Sequence, residues 1–228
     1  MIDGRAVQLR LRAKGYVVSL DGVIGAETYT ALLAAVGKVP LVQMHRDLGK
    51  AAAVHFPAAG ITTPLRLAHC LAQSSVETAG FTRLTENLNY TAERIRAVWP
   101  SRFPTVASAQ PFARNPEALA EKVYGGRFGN LSDGDGWKYR GRGTKQTTFR
   151  DNYAEVQLVT GLNVLADPDQ LADPDKGLRA GCVYWEAKGC NAIADRDDID
   201  ALTKRVNGGL NGIVDRKAAL ARAKSILM

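Results

Sequence analysis

Apolar residues recur at helical spacing along most of this chain, and glycine, proline and aspartate signals cut the pattern into segments. Val7, Leu9 and Leu11 lead into Lys14-Gly15-Tyr16, a short helix with a glycine stop. Asp21-Gly22 is a turn, and Gly25 to Val36 reads as a second helix. Gly37 to Pro40 makes a linker, and Leu41 to Phe56 carries a mixed helix. Thr63 and Pro64 then supply an N-cap and a first helical position, followed by Leu67, Ala68, Leu71, Ala72, Ser75 and Val76 at helical spacing. Gly80 stands where a left-handed C-terminal cap is wanted, so this helix is expected to end near Thr78.

Further along, Thr91 caps a helix through Trp99, which Pro100 ends. Asn115-Pro116 starts another, with Gly125-Gly126 as its stop. The stretch from Gly129 to Gly143 is glycine-rich, with a turn at Gly134 to Trp137, and Trp137 to Gly143 is the best candidate for a small strand. Helices are expected again from Thr148 through Val159, from Asp173-Pro174 through Lys188, and from Asp197 or Asp198 toward Val206. A terminal helix opened by Asp215 runs from Arg216 to Leu227. The pattern describes a mainly α-helical protein with at most a small β element, and no internal repeat is visible.

The stretch from Glu77 to Tyr90 holds the candidate chemistry. In one continuous helix, nine residues at about 100° each would set Glu77 and Glu86 on opposite faces. The glycine break lets the chain turn back, so Glu86 is able to face Glu77 across a gap. Within its helix Glu77 lies on a stripe with Cys70, Gln73 and Ser74, polar and small enough to line a cleft. Glycosidic hydrolysis needs such a pair, one carboxyl protonated and one ionised. Spacing alone does not separate it from two solvated surface glutamates.

The surrounding residues do. Glu77-Thr-Ala-Gly-Phe and Glu86-Asn-Leu-Asn-Tyr-Thr-Ala resemble the catalytic segment of the family 19 glycoside hydrolases, which include plant chitinases and phage endolysins. Tyr139-Arg-Gly-Arg-Gly-Thr-Lys-Gln-Thr-Thr-Phe-Arg-Asp-Asn-Tyr153 resembles the family's second motif. Val206-Asn-Gly-Gly-Leu-Asn-Gly212 with Asp215-Arg216 resembles a third. The three motifs stand in family order across residues 60 to 228. The resemblance implies a lysozyme-like helical domain, Glu77 as general acid and Glu86 as general base of an inverting hydrolase, roughly 6.5–9.5 Å apart. Thr148 falls on the residue that helps hold the water, while Gln146, Asn152, Asn207 and Arg216 fall on polar positions around the substrate groove. Arg216 suits either sugar contact or a salt bridge orienting a catalytic glutamate, and Asn152 either sugar contact or a helix-surface amide. Tyr90 and Tyr153 suit sugar stacking or the core. The chain departs from the pattern at Val76, where histidine is frequent, and at Lys145 and Phe149, where an aliphatic residue and glycine are common. Asn211 replaces an acidic residue of the plant enzymes.

Residues 1–38 resemble a small peptidoglycan-binding module through Val7-Gln8, Leu11, Gly15-Tyr16, Asp21-Gly22, Gly25 and Thr28. The other reading of this segment is a helical hairpin that packs on the main domain. The expected division is thus a module over 1–38 and a catalytic domain over 41–228.

Composition narrows the partners. A net charge of +7 suits an anionic polymer, and the Lys and Arg residues are scattered without the runs or aromatic interleaving of a nucleic-acid binder. No apolar run approaches the roughly 20 residues of a membrane span, and the N-terminus lacks a signal peptide's apolar region. The protein is expected to stay in the host cytoplasm until released to the cell wall, as a monomer without stable membrane insertion. Cys70, Cys182 and Cys190 are an odd set, with Cys70 and Cys182 expected as buried thiols. His45, His55 and His69 precede every cysteine and show no compact ligand spacing, which disfavours a Cys-His peptidase and a zinc amidase. A lytic transglycosylase predicts that Glu86 is dispensable, and a non-catalytic wall-binding protein that both glutamates are. The composite expectation is an endolysin that cleaves between N-acetylmuramic acid and N-acetylglucosamine of peptidoglycan, without metal or cofactor. A chitinase of the same mechanism is the alternative.

Overall fold

The computed structural model describes residues 2–228. In chain order the α-helices are α1 (Gly4–Ala13), α2 (Ala26–Gly37), α3 (Gln43–Ala58) and α4 (Pro64–Glu77), then α5 (Ala92–Val98), α6 (Val106–Ala109), α7 (Pro116–Tyr124), α8 (Asp135–Lys138) and α9 (Arg150–Thr160). The last four are α10 (Pro174–Ala187), α11 (Cys190–Ala194), α12 (Ile199–Asn207) and α13 (Ile213–Leu227). The chain forms two compact units. The first takes the chain up to Leu84, Gly143–Lys145 and Leu171–Met228, and the second takes Thr85–Arg142 and Gln146–Gln170.

In the first unit α2 packs on α3, α3 on α10, and α4 on α13. Their apolar faces meet in one buried cluster that runs from Val7 and Leu11 through Leu48, Leu67 and Leu71 to Ala219 and Ile226. The N-terminal segment is tied in by polar bonds as well. Arg10 donates from both terminal nitrogens to the carbonyls of Ile226 (3.0 Å) and Met228 (2.9 Å), and Arg222 donates to Val36 (2.8 Å). Gln8 is buried but satisfied: its amide donates to Asp21 Oδ1 and the Val23 carbonyl and accepts from the Gly22 N–H, which fixes the Asp21-Gly22 turn. Cys70, Cys182 and Cys190 are free and buried.

The second unit has its own core of Leu88, Ile95, Phe103, Leu119, Ala120 and Val123. Its helices begin where the sequence signals stand. Thr91 Oγ1 accepts from Arg94 N–H (3.3 Å), and Asn115 Oδ1 accepts from Ala118 N–H (3.2 Å) just ahead of Pro116. Arg142 is buried and ties several segments of chain together: Nε pairs with Asp169 (2.7 Å), and Nη1 donates to the Lys138 carbonyl (2.7 Å) and the Tyr153 hydroxyl (3.1 Å).

The strand expected over 137–143 does not form. Asp135 accepts from the Leu131 and Ser132 N–H groups and nucleates the helical turn α8, which takes up Trp137 and Lys138. Gly143 has φ +77°, which ends the extended backbone, so only isolated bridges remain, Arg142 with Thr85 and with Thr147. The terminal helix starts at Ile213 rather than Arg216, because Gly212 in the left-handed region opens it and Asp215 lies inside its first turn.

Candidate active site

Glu77 is the last residue of α4, and its position follows from that helix's ends. Thr63 Oγ1 caps the start, with Pro64 at the first helical position. At the other end the Thr78 hydroxyl donates to the Ser74 carbonyl and accepts from the Phe81 N–H. The chain leaves through three left-handed residues, Ala79, Gly80 and Phe81. This turn is clamped from two sides. Gly37 and Gly80 lie so close that a Cβ on Gly37 would stand 2.6 Å from the Gly80 carbonyl oxygen. Buried His45 accepts the Val42 N–H at Nδ1 (3.1 Å) and donates from Nε2 to the Gly80 carbonyl (2.9 Å), and burial holds its pKa below the usual value.

Glu77 is paired with Arg216, 139 residues away. Arg216 Nη2 donates to Glu77 Oε1 at 2.5 Å, and Nη1 donates to Gln73 Oε1 at 2.6 Å. The arginine is 2% exposed and the glutamate side chain 19%, so the charge of one balances the other where water barely reaches. Gln73 in turn donates to Thr203 Oγ1, which fixes its amide. The guanidinium is buried against Glu77 and Gln73. Among the described residues Glu77 Oε2 has no hydrogen-bond partner. Asn207, at the end of α12, donates to the Asn211 carbonyl (3.3 Å), and Arg216 Nε donates to that same carbonyl (3.3 Å).

Glu86 belongs to the second unit and is held differently. Its backbone N–H donates to the Gly141 carbonyl (2.9 Å), while its carboxylate accepts from Tyr124 Oη–H (2.7 Å) and from the Gly141 N–H (3.3 Å). Gly141 has no room for a side chain: a Cβ would stand 2.8 Å from Gln146 Oε1 and 3.3 Å from Glu86. Burial, reinforced by the Glu86 charge, pushes the Tyr124 pKa well above the phenol range, so the hydroxyl keeps its proton and remains a donor. Gln146, Thr148 and Asn152 share one turn. Thr148 Oγ1 donates to the Gln146 carbonyl (3.0 Å), and the Asn152 amide donates to the Thr148 carbonyl (2.6 Å). Phe149 has φ +74°, a conformation that favours glycine. Its ring compensates by packing edge-on against Tyr124 (5.4 Å) and Phe128 (4.9 Å). Tyr90 is half-buried with its ring 6.0 Å from Trp99, whereas Tyr153 is fully buried and belongs to the core.

The structure thus joins Glu77 to Arg216 in one unit, and gathers Glu86 beside Gly141 and Gln146 in the other. Gln73 was visible in the sequence as part of the Glu77 stripe. Tyr124 and His45 carried no signal, because each looks like an ordinary residue of an apolar helix face. Among the described residues no group of three or more His, Cys, Asp or Glu side chains is arranged to hold a metal ion.

No protein-family model matches the chain. Chitinase C from Streptomyces griseus superposes with a TM-score of 0.59 at 19% identity, covering 90% of this chain and 95% of that one. A class IV, family GH19 chitinase from Zea mays gives a TM-score of 0.53 at 17% identity, covering 89% and 90%. At these identities the likeness establishes the fold, a mainly helical, chitinase-type architecture. Sequence carries the relation further: a glycosyl hydrolase family 19 domain-containing protein of Haemophilus influenzae is 38% identical over 168 residues, 72% of this chain and 81% of that protein. On that identity and coverage, the chain belongs to glycosyl hydrolase family 19.

Proposed function

We propose that this protein is an endolysin-type glycosidase that hydrolyses the β-1,4 bond between N-acetylmuramic acid and N-acetylglucosamine in peptidoglycan. Glu77 takes up a proton from solvent and donates it to the glycosidic oxygen as the C–O bond breaks, and Glu86 removes a proton from the water that attacks the anomeric carbon. Thr148 helps to hold that water, and Gln146, Asn152, Asn207 and Tyr90 contact the sugars. The products then carry inverted anomeric configuration.

The observation that carries the reading is the anchoring of the two carboxylates. Arg216 pairs with Oε1 of ionised Glu77 and leaves Oε2 as the oxygen that takes up a proton and passes it on, while Glu86 accepts from fixed donors that include Tyr124 and Gly141. Arg216 acts here as a positioning residue. The choice of peptidoglycan is supported by the net charge of +7, which suits an anionic wall polymer, and by the module-like pattern of residues 1–38. We assign the protein to the host cytoplasm until its release to the wall, acting as a monomer. No helix is long and apolar enough to cross a membrane among the described residues. Chitin is the second reading, favoured by the chitinases among the solved structures that share this fold.

Mass spectrometry of digests made by the wild type and by Glu86→Gln tests the proposal. Reducing N-acetylmuramic acid ends that disappear in the variant support a hydrolytic muramidase. Anhydro ends that survive it point to a transglycosylase, and chitin oligomers released without peptidoglycan fragments move the assignment to chitinase.

A further inference from the structure

The proposed reaction gives Lys145 no task, yet its side chain is held at a defined place. Its ammonium donates to the Val206 carbonyl and lies 4.6 Å from the centre of the Tyr184 ring. Val206 is in the last turn of α12, where carbonyls lack intrahelical partners and the helix end is partly negative. A half-buried cation at that place both satisfies the carbonyl and matches the field. The Tyr184 hydroxyl reaches the same oxygen at 3.5 Å.

The loop beyond α12 links this contact to the candidate acid. Asn207 and Arg216 both donate to the Asn211 carbonyl, so the 207–211 loop braces the guanidinium that pairs with Glu77. Lys145 and Glu77 line one small cavity together with Gln73, Ser74, Thr144 and Val206. The charged and titratable groups around the ammonium are Glu77 on α4, Arg216 on α13, Cys190 on α11 and Lys188 just after α10. Burial draws the Lys145 pKa down, while the Glu77 charge opposes that effect.

We propose that Lys145 is a positioning residue for the glycosidase reaction: by holding the Val206 carbonyl it fixes the end of α12 and the 207–211 loop, and so the guanidinium that orients Glu77. The inference rests on Glu77 being the general acid. An aliphatic side chain at 145 packs the same cavity but leaves the helix end to find another donor.

The test compares the wild type with Lys145→Met, Lys145→Arg and Glu77→Gln on purified peptidoglycan and on N-acetylglucosamine oligomers. Lys145→Met is expected to lower kcat about tenfold with KM changed less than about twofold, since a small misplacement of a reacting group acts on turnover. The Arg216 Nε–H resonance in nitrogen-15 NMR spectra shifts with it. Lys145→Arg, which keeps a charged donor, restores most of both. Where the methionine variant does not fold, Lys145→Leu, which likewise has no donor, takes its place. Unchanged kcat and an unmoved Arg216 resonance in Lys145→Met, alongside an inactive Glu77→Gln, overturn this inference and leave the parent reading standing. A loss that arginine does not rescue also overturns it, because packing alone then explains the residue. Full activity in Glu77→Gln, or a wild type that cleaves neither substrate, overturns both.

Discussion

Glu77 and Glu86 are the same side chain held by opposite means. Glu77 ends a fourteen-residue helix whose far side is buried in a continuous core, and it faces a charged partner that is itself sealed from water. Glu86 sits in irregular chain outside any helix, and the donors to its carboxylate include a neutral hydroxyl and a backbone N–H. The contrast teaches that two carboxylates can be fixed equally well in space at very different energetic risk. Breaking a buried ion pair strands a charge, whereas losing a neutral donor costs one hydrogen bond.

The largest effect expected is on chemistry, and there the two sites are alike. Glu77→Gln and Glu86→Gln each lower kcat by about 10²–10⁴, the usual worth of a positioned acid or base. Steady-state kinetics on soluble glycan fragments read this directly. Near-wild-type turnover in the Glu86 variant removes it as the base.

Stability separates the two. Glu77→Gln leaves Arg216 uncompensated and is expected to cost about 2–3 kcal/mol, below the full cost of a broken buried pair because the glutamate keeps some exposure. Glu86→Gln should cost about 1 kcal/mol, since an amide oxygen still accepts from Tyr124. Urea denaturation at neutral pH compares them, and equal losses break the contrast between the two sites.

A narrower probe is Tyr124→Phe, which keeps the ring against Phe149 and removes only the donor. The loss is about 1–2 kcal/mol of orientation at Glu86, seen as a drop of roughly tenfold in kcat. A phenylalanine variant as active as wild type shows that the other contacts of Glu86, the Gly141 N–H among them, suffice.

The smallest effect concerns acid. Burial lowers the pKa of His45 and of His69, whose Nδ1 is buried without a partner among the described residues, so the fold favours the neutral form of both. Their folded values lie below the unfolded value near 6.5, so the unfolded chain binds more protons and stability falls as pH drops. The contribution is fully present above about pH 6.5 and is lost as pH falls through the lowered folded values. Every histidine lies in the first unit. Hydrogen exchange at pH 5 against pH 7.5 should therefore show protection lost first around α3 and α4, and uniform loss over both units argues against the histidines as the cause.

Much of the helical framework was legible because its signals are local. Thr63-Pro64, Asn115-Pro116, Asp173-Pro174 and Asp198 each satisfy an orphan N–H within three residues, a bond that needs no fold to predict. The pattern failed at 137–143, where a left-handed glycine and an aspartate-capped turn outweighed the pull of Trp, Tyr and alternating charge toward a strand. It also missed α11, since Gly189 reads as a stop and five residues give too little periodicity to see the restart. At the candidate site the motif residues were visible, but the residues supporting them were not. Tyr124 lies 38 residues from Glu86, and Lys145 lies 61 from Val206.

By itself, then, the sequence determined where helices begin and end, which residues are chemically able to act, and the family to which their order belongs. Those properties depend on hydrogen bonds and apolar spacing within about one helical turn. The tertiary structure decided that Arg216 is buried as the counter-charge of Glu77, that Glu86 answers to a tyrosine hydroxyl, and that Lys145 braces a helix end. Each of these joins residues far apart in the chain, and Coulomb and hydrogen-bond energies become appreciable only when packing brings such groups within a few ångströms and excludes the water between them.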